Sequence, residues 1–303
     1  MAGLSLSADE RRAWRDDGFF LRERAFCEAE LAQLRAAAER VVEIVTRQAR
    51  AGGEHYTIDG NHYCELPGST LQYEHAPDSQ TARVVEPFHH LEPRFSELVD
   101  DARFVEPARE LVGADEISLF TDKLNLKRPR EGSRFLWHQD SPYWNHATPH
   151  VERLPNAMLA LDDADLENGC LRVVRGSHLR GLLPGLQGQG VLGPLFSDPQ
   201  HFDLSQQVPA RMPAGSLLFF HPHTVHGSEP NRSERPRRAL LFTYQPAGHR
   251  MFKVDRERRA GSQGAGRVTA RVTAWGMAAP RSSAGKRSRR GSAAPRGPRP
   301  RAP

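Results

Sequence analysis

Cysteine is scarce in this 303-residue chain: three residues, Cys27, Cys64 and Cys170, none in CxxC spacing. That argues against a disulfide framework and a structural zinc site. Long apolar runs are missing too. The opening MAGLSLSADERRAW has no apolar core of the leader-peptide kind, and no stretch approaches membrane-spanning length. The reading is a protein of a reducing, cytoplasmic compartment that makes no use of a membrane. No internal repeat is present, and no HExxH pair of the zinc-hydrolase type.

Hydrophobic residues make up a modest 38%, and the shortfall has a location. Residues 256–303 carry thirteen Lys and Arg against one Glu, leaving 29 basic and 36 acidic side chains in the preceding 255 residues. The sequence pI near 9.4 is therefore a property of the tail, and the body is mildly acidic. Arg, Gly, Ser, Ala and Pro dominate the tail, which cannot bury enough apolar surface to offset chain entropy, so disorder is expected there. A basic tail can touch nucleic acid, but this one has a single aromatic, Trp275, and lacks the stacking residues of single-strand binders. An unselected extension is the preferred reading, with nucleic-acid binding as its alternative. The expected division is a catalytic domain over 1–255, helical over 1–115 and β over 116–250, followed by the tail.

Helical patterning dominates the first half. Ser7 and Glu10 have capping-box spacing before a short helix through Trp14, which stops ahead of Asp17-Gly18. Residues 27–48 repeat Leu31, Leu34, Ala38, Val41, Val42 and Ile44 at helical spacing, up to Gly52-Gly53. Residues 54–82 read as irregular, and a further helix closes on Gly113. From residue 116 the texture changes to short apolar or alternating runs between Gly, Pro, Asp and Asn clusters, with no helical period between them. Such runs predict a sandwich or jelly roll rather than βαβ units. Residues 181–210 read as a long loop.

Within FLWHQDSPYW, His138 and Asp140 follow an apolar strand at the point where it meets a turn. In a strand, residues i and i+2 share a side, so an imidazole and a carboxylate would enter one space with Gln139 facing away. Three other triplets have the same shape, at His201/Asp203, His90/Glu92 and His150/Glu152, but none follows a convincing strand. A divalent iron site needs one more histidine and open positions opposite. FFHPHTVHGSEPN offers His221, His223 and His226. After His226 a turn leads to RRALLFTY, whose alternation puts Arg237, Ala239, Leu241 and Thr243 on the smaller face and Arg238, Leu240, Phe242 and Tyr244 on the other. A hairpin through that turn would bring Arg237 back towards His226, as a fork suited to a dicarboxylate.

WHQD, ENGCLRVVRGSH and AGSLLFFHPHTVHGSEPNRSERPRR, in this order, resemble the phytanoyl-CoA dioxygenase family, most closely over residues 118–246. The resemblance implies an iron(II)- and 2-oxoglutarate-dependent oxygenase with a double-stranded β-helix (jelly-roll, cupin-like) core. It implies His138, Asp140 and His226 as iron ligands and Arg237 as the anchor of the distal 2-oxoglutarate carboxylate, with Ser228 nearby. Lys127 and Asn125, on the strand before the HxD, would face the co-substrate. With O2 as oxidant, such an enzyme hydroxylates substrate as 2-oxoglutarate becomes succinate and CO2. An aspartate at 140, where related halogenases carry a small residue, favours hydroxylation. Two departures stand out: Arg175 where the family has proline before GSH, and Met158 where a tryptophan is common.

A zinc hydrolase would leave Arg237 unexplained, whereas a catalytically silent ligand-binding relative stays as the alternative. The substrate is expected to be a small organic molecule, with Trp137, Tyr143 and Trp144 as candidate contacts, although core packing competes for each aromatic. Nothing specifies a coenzyme A thioester, and no protein partner is indicated.

Overall fold

The computed structural model describes residues 4–253; the expected basic tail, 256–303, lies outside the described residues. The chain opens on α1 (Ala8–Asp17), which carries the predicted capping box: Ser7 Oγ accepts from the Glu10 amide, and the Glu10 carboxylate accepts from the Ser7 amide. Strand β1 (Phe19–Arg22) and helix α2 (Glu28–Gly52) follow. The buried stripe of α2 is Leu31, Leu34, Ala37, Ala38, Val41, Val45 and Ala49. Val45 thus takes the place expected for Ile44. At its end Gly53 is obligatory, since a Cβ there would lie 2.2 Å from Cys64 Sγ.

The segment expected to be irregular is instead a meander of β2 (Glu54–Ile58), β3 (Asn61–Leu66), β4 (Ser69–Tyr73) and β5 (Ala82–Glu86). One face of this wing buries Cys64, Leu66, Leu71, Tyr73, Ala82 and Val85 in the same core cluster as the α2 stripe. The first half is therefore not wholly helical, because this β wing sits among its helices. Helices α3 (Pro93–Leu98) and α4 (Ala102–Val112) complete that layer, and α4 closes on left-handed Gly113 as expected.

The remaining elements are β6 (Ile117–Lys127), β7 (Phe135–His138), α5 (Ser141–Trp144), β8 (Asn156–Ala160), β9 (Leu171–Val174), β10 (Gln207–Pro209), β11 (Leu217–Phe220), β12 (His226–Ser228) and β13 (Arg237–Pro246). They build a mainly β, double-stranded β-helix. A nine-stranded sheet runs β1-β11-β8-β13-β6-β5-β4-β3-β2, and a four-stranded sheet runs β10-β9-β12-β7. The large sheet packs Leu240, Phe242 and Tyr244 against the helical layer. Its other face puts Met158, Leu218, Ala239 and Leu241 in one cluster with Leu171 and Val173 of the small sheet. The alternation read along β13 is thus realised.

The expected hairpin between His226 and Arg237 does not form. β12 belongs to the small sheet and β13 to the large one, so the intervening turn crosses between layers. The loop over 181–210 holds short 3-10 turns and β10. Among the described residues no helix is long and apolar enough to cross a membrane.

Candidate metal centre

β7 and β12 run antiparallel with His138 opposite His226, so the two imidazoles form a cross-strand pair with ring centres 4.2 Å apart. The Nδ1 of His138 lies 2.7 Å from the Leu136 carbonyl, and that of His226 lies 2.9 Å from the Thr224 carbonyl. A protonated Nδ1 held this way turns Nε2, with its lone pair, towards the interior.

Asp140 stands just past the end of β7, at the start of α5, with its amide donating to the Pro222 carbonyl at 3.0 Å. Its Oδ2 accepts from Asn156 Nδ2 at 2.8 Å, and Asn156 Oδ1 accepts from Thr243 Oγ1 at 2.6 Å. Oδ2 is also 3.8 Å from His226 Nε2. One ligand atom from each of His138, Asp140 and His226 lies within 4.8 Å of the others, the one such group among the described residues.

Burial, reinforced by His226, pushes His138 down to about 3, and burial lowers His226 as well. Both rings are therefore neutral near pH 7. Burial alone would raise the Asp140 carboxyl, but Lys123, His226 and His138 outweigh it and hold it below the usual carboxylate range. Two neutral imidazoles and one carboxylate suit a divalent iron ion with coordination positions left open.

A second cluster lies along the interior of β6 and β13. Lys127 stands opposite Arg237 and Asn125 opposite Ala239. Lys127 and Arg237 are buried, as is Ser228 on β12. Neither Arg237 Nε nor Ser228 Oγ has a hydrogen-bond partner. Lys127 Nζ donates to the Glu229 carbonyl. Burial, with the charges of Arg237 and Arg83, drives the Lys127 ammonium down to about 6. Buried donors without acceptors are costly, and these fit an acidic ligand.

Arg83 is a member of this cluster that sequence reading missed. Tyr73 pairs with Ala82 and Gln72 with Val84, so Arg83 is the extra residue of a bulge in β5. Its guanidinium stacks 3.8 Å over the Phe135 ring, donates to the Arg134 carbonyl at 2.6 Å and touches His75, while Nε has no partner. The nearby Glu74 carboxylate is engaged by the amide and hydroxyl of Ser133. An arginine among apolar residues ahead of Glu86-Pro87 carries no local signal; the bulge that aims it exists only once β4 and β5 pair.

The other residues singled out from sequence separate cleanly. Gln139 faces away from the triad but is buried, bonding the Gly181 and His223 carbonyls and the Leu183 amide. His223 is bonded to Ser141 Oγ at 2.6 Å, and His221 packs beside Trp14 and His178. His201 and Asp203 stay in the long loop. Arg238 points out of the barrel yet is not free: it pairs with Asp162 at 2.8 Å and Glu39 at 3.0 Å. Of the aromatics, Tyr143 presents its ring edge-on to His138 at 6.0 Å. Trp144 is fully buried against Phe120. Trp137 packs on Phe202 in a cluster with Val174 and Val225, and Gly227 lies over its ring. That is the face of β7 opposite His138, which removes Trp137 from the substrate-facing set.

The family profile described as Phytanoyl-CoA dioxygenase matches residues 14–239. An ectoine dioxygenase from Bordetella parapertussis is 30% identical over 259 residues, 79% of this chain and 75% of the relative. An L-proline trans-4-hydroxylase from Streptomyces griseoviridis is 28% identical over 183 residues, covering 55% and 68%. Among solved structures, EctD from S. alaskensis with 2-oxoglutarate and 5-hydroxyectoine superposes with a TM-score of 0.61 at 23% identity, covering 88% of this chain and 87% of that one. At that identity the likeness speaks for the fold.

Proposed function

Since the chain belongs to the phytanoyl-CoA dioxygenase family, we propose that His138, Asp140 and His226 hold its iron(II) and that Arg237, Lys127 and Ser228 hold 2-oxoglutarate. The reaction is the hydroxylation of a small organic metabolite, with O2 consumed and succinate and CO2 released. Members of this family are iron- and 2-oxoglutarate-dependent dioxygenases, and a bound iron–2-oxoglutarate pair supplies the oxidising power. This chain's side chains supply the rest.

The observation that carries the residue assignment is the coincidence of two needs. A triad of two neutral imidazoles and a carboxylate, with His138 half-buried and Asp140 and His226 buried, lies in the same barrel as orphaned donors on Arg237 and Ser228. Arg237 offers a two-point fork for a carboxylate and Ser228 a hydroxyl, while Lys127 and Arg83 add positive charge for the second acidic group. Asn125, on the same face of β6 with no side-chain bond among the described residues, extends that wall. Met158 and Leu241, in register on β8 and β13, give an apolar flank that excludes water. Asn156 fixes which way Asp140 presents its oxygens.

The test is anaerobic loading of the full chain with iron(II) and 2-oxoglutarate, followed by metal analysis and an oxygen-dependent succinate assay. One iron per chain, lost on replacing His138 or His226, is expected. Stoichiometric binding by a chain without both histidines would reject the assignment. We also assign catalysis to residues 1–255: a chain ending at Asp255 is expected to keep the parent rate of 2-oxoglutarate turnover.

A further inference from the structure

The iron and co-substrate groups leave one interior cation unexplained. Lys123 stands on β6 opposite Leu241, on the same face as Asn125 and Lys127 but nearer the triad. Its Nζ is 3.7 Å from Asp140 Oδ1 and 5.3 Å from the Trp144 ring centre. An ammonium has three donors, and that long contact to Asp140 is the one ion pair it makes among the described residues. About a fifth of its side chain, 19%, remains accessible. The charge of Glu86 acts on it as well as that of Asp140. But an ammonium held beside a metal ligand by one long contact, with part of its side chain accessible, has donors left to receive something.

Its surroundings say what. The hydroxyls of Tyr143 and of Tyr63, on β3, make no hydrogen bond among the described residues, and burial keeps both protonated. Glu86, at the end of β5, accepts from Thr121 Oγ1 at 2.9 Å and pairs with Lys253 at 3.2 Å. The wall beside the triad therefore bears two free hydroxyls, an ammonium and a carboxylate. A long acyl chain would bury all of these without partners, at a cost for each.

We propose that Lys123 is the anchor for an oxyanion of the primary substrate, and that this substrate is a compact carboxylate of the amino-acid kind rather than a fatty acyl thioester. The site deepens the iron and 2-oxoglutarate reading and rests on it. Held on Lys123, a small acid has its nearest carbons beside the triad, so the oxidised C–H lies close to the acidic group. A charge-assisted bond of this type is worth roughly 10- to 100-fold in affinity.

The experiment uses the full chain loaded anaerobically with iron(II) and 2-oxoglutarate, and reads perturbation of the visible charge-transfer band, independently of turnover. The probes are the protein amino acids, short hydroxy acids, methylphosphonate and octanoyl-CoA, together with the amide of each acid that binds. A small acid is expected to shift the band, and its amide to bind at least about tenfold more weakly. Lys123→Met should erase that acid-over-amide preference and Lys123→Arg restore most of it, read as a change in Kd rather than in band formation. Methylphosphonate distinguishes phosphonate from carboxylate recognition at the same ammonium. Persistence of the preference in Lys123→Met, binding of the thioester alone, or silence of every small acid while the band forms overturns the anchor. Failure of the parent chain to form the band sinks the iron and 2-oxoglutarate reading beneath it.

Discussion

Lys127 and Arg237 face each other across β6 and β13, both buried and neither ion-paired among the described residues. Two adjacent interior basic groups are costly to keep charged together, and burial with the Arg237 charge pushes the Lys127 ammonium down. The arrangement persists because the fold holds it ready for an acidic ligand. Arg237→Ala should raise the KM for 2-oxoglutarate by roughly two to three and a half decades, the equivalent of about 3–5 kcal/mol for one side of a buried pair. Iron content should not change. Arg237→Lys should recover part of the loss, because an ammonium cannot make the fork. Succinate formation against 2-oxoglutarate concentration measures both.

Arg238 gives the contrasting outcome. Its side chain and that of Asp162 are 14% and 13% exposed, on the helical side of β13. Arg238→Ala should lower stability by about 1–3 kcal/mol and leave the KM for 2-oxoglutarate near the parent value. A shifted urea midpoint with an unchanged KM is the expected pair of readings.

The depressed Lys127 ties co-substrate binding to pH. Free of ligand it loses its proton at about 6, below the ordinary lysine value, so at pH 7–8 it is mostly neutral. A bound dianion favours the charged form and raises that value, so binding takes up a proton. Affinity for 2-oxoglutarate should fall as pH rises above about 6, with a slope of up to tenfold per unit. Titration calorimetry in two buffers of different ionisation enthalpy should show the uptake, and Lys127→Met should lose it.

Asn156 is not itself an iron ligand in the assignment, yet its bond to Asp140 fixes the rotamer of that ligand between Thr243 and the triad. Asn156→Ala should weaken iron binding by about 10- to 100-fold, as is usual when the partner of a metal ligand is removed. Competition with a metal chelator would register this. Equal affinity in parent and variant would remove Asn156 from the site.

His201 and Asp203 provide an internal control, since they have the same spacing as His138 and Asp140. His138→Ala should abolish iron binding, and His201→Ala should leave metal content and turnover nearly unchanged. Equal losses would contradict the assignment of the triad.

Local pattern decided a good deal. The Ser7/Glu10 capping box, the α2 stripe, the left-handed stop at Gly113 and the two faces of β13 all depend on neighbours within a few residues, so they were legible from the chain alone. The Asp59-Gly60 turn joining β2 to β3 was legible in principle, but strands with one polar face look irregular until α2 covers the other. Tertiary structure alone set His138 opposite His226, because strand register between residues 88 positions apart has no local signature. It also sent the chain from β12 across to β13 in the other sheet, where a short turn had suggested a hairpin. The bulge that aims Arg83 and the approach of Lys123 to Asp140 belong to the same class. Each needs two strands, distant or separately ambiguous, to meet before a charge acquires its neighbour, and a buried charge is defined by its neighbours.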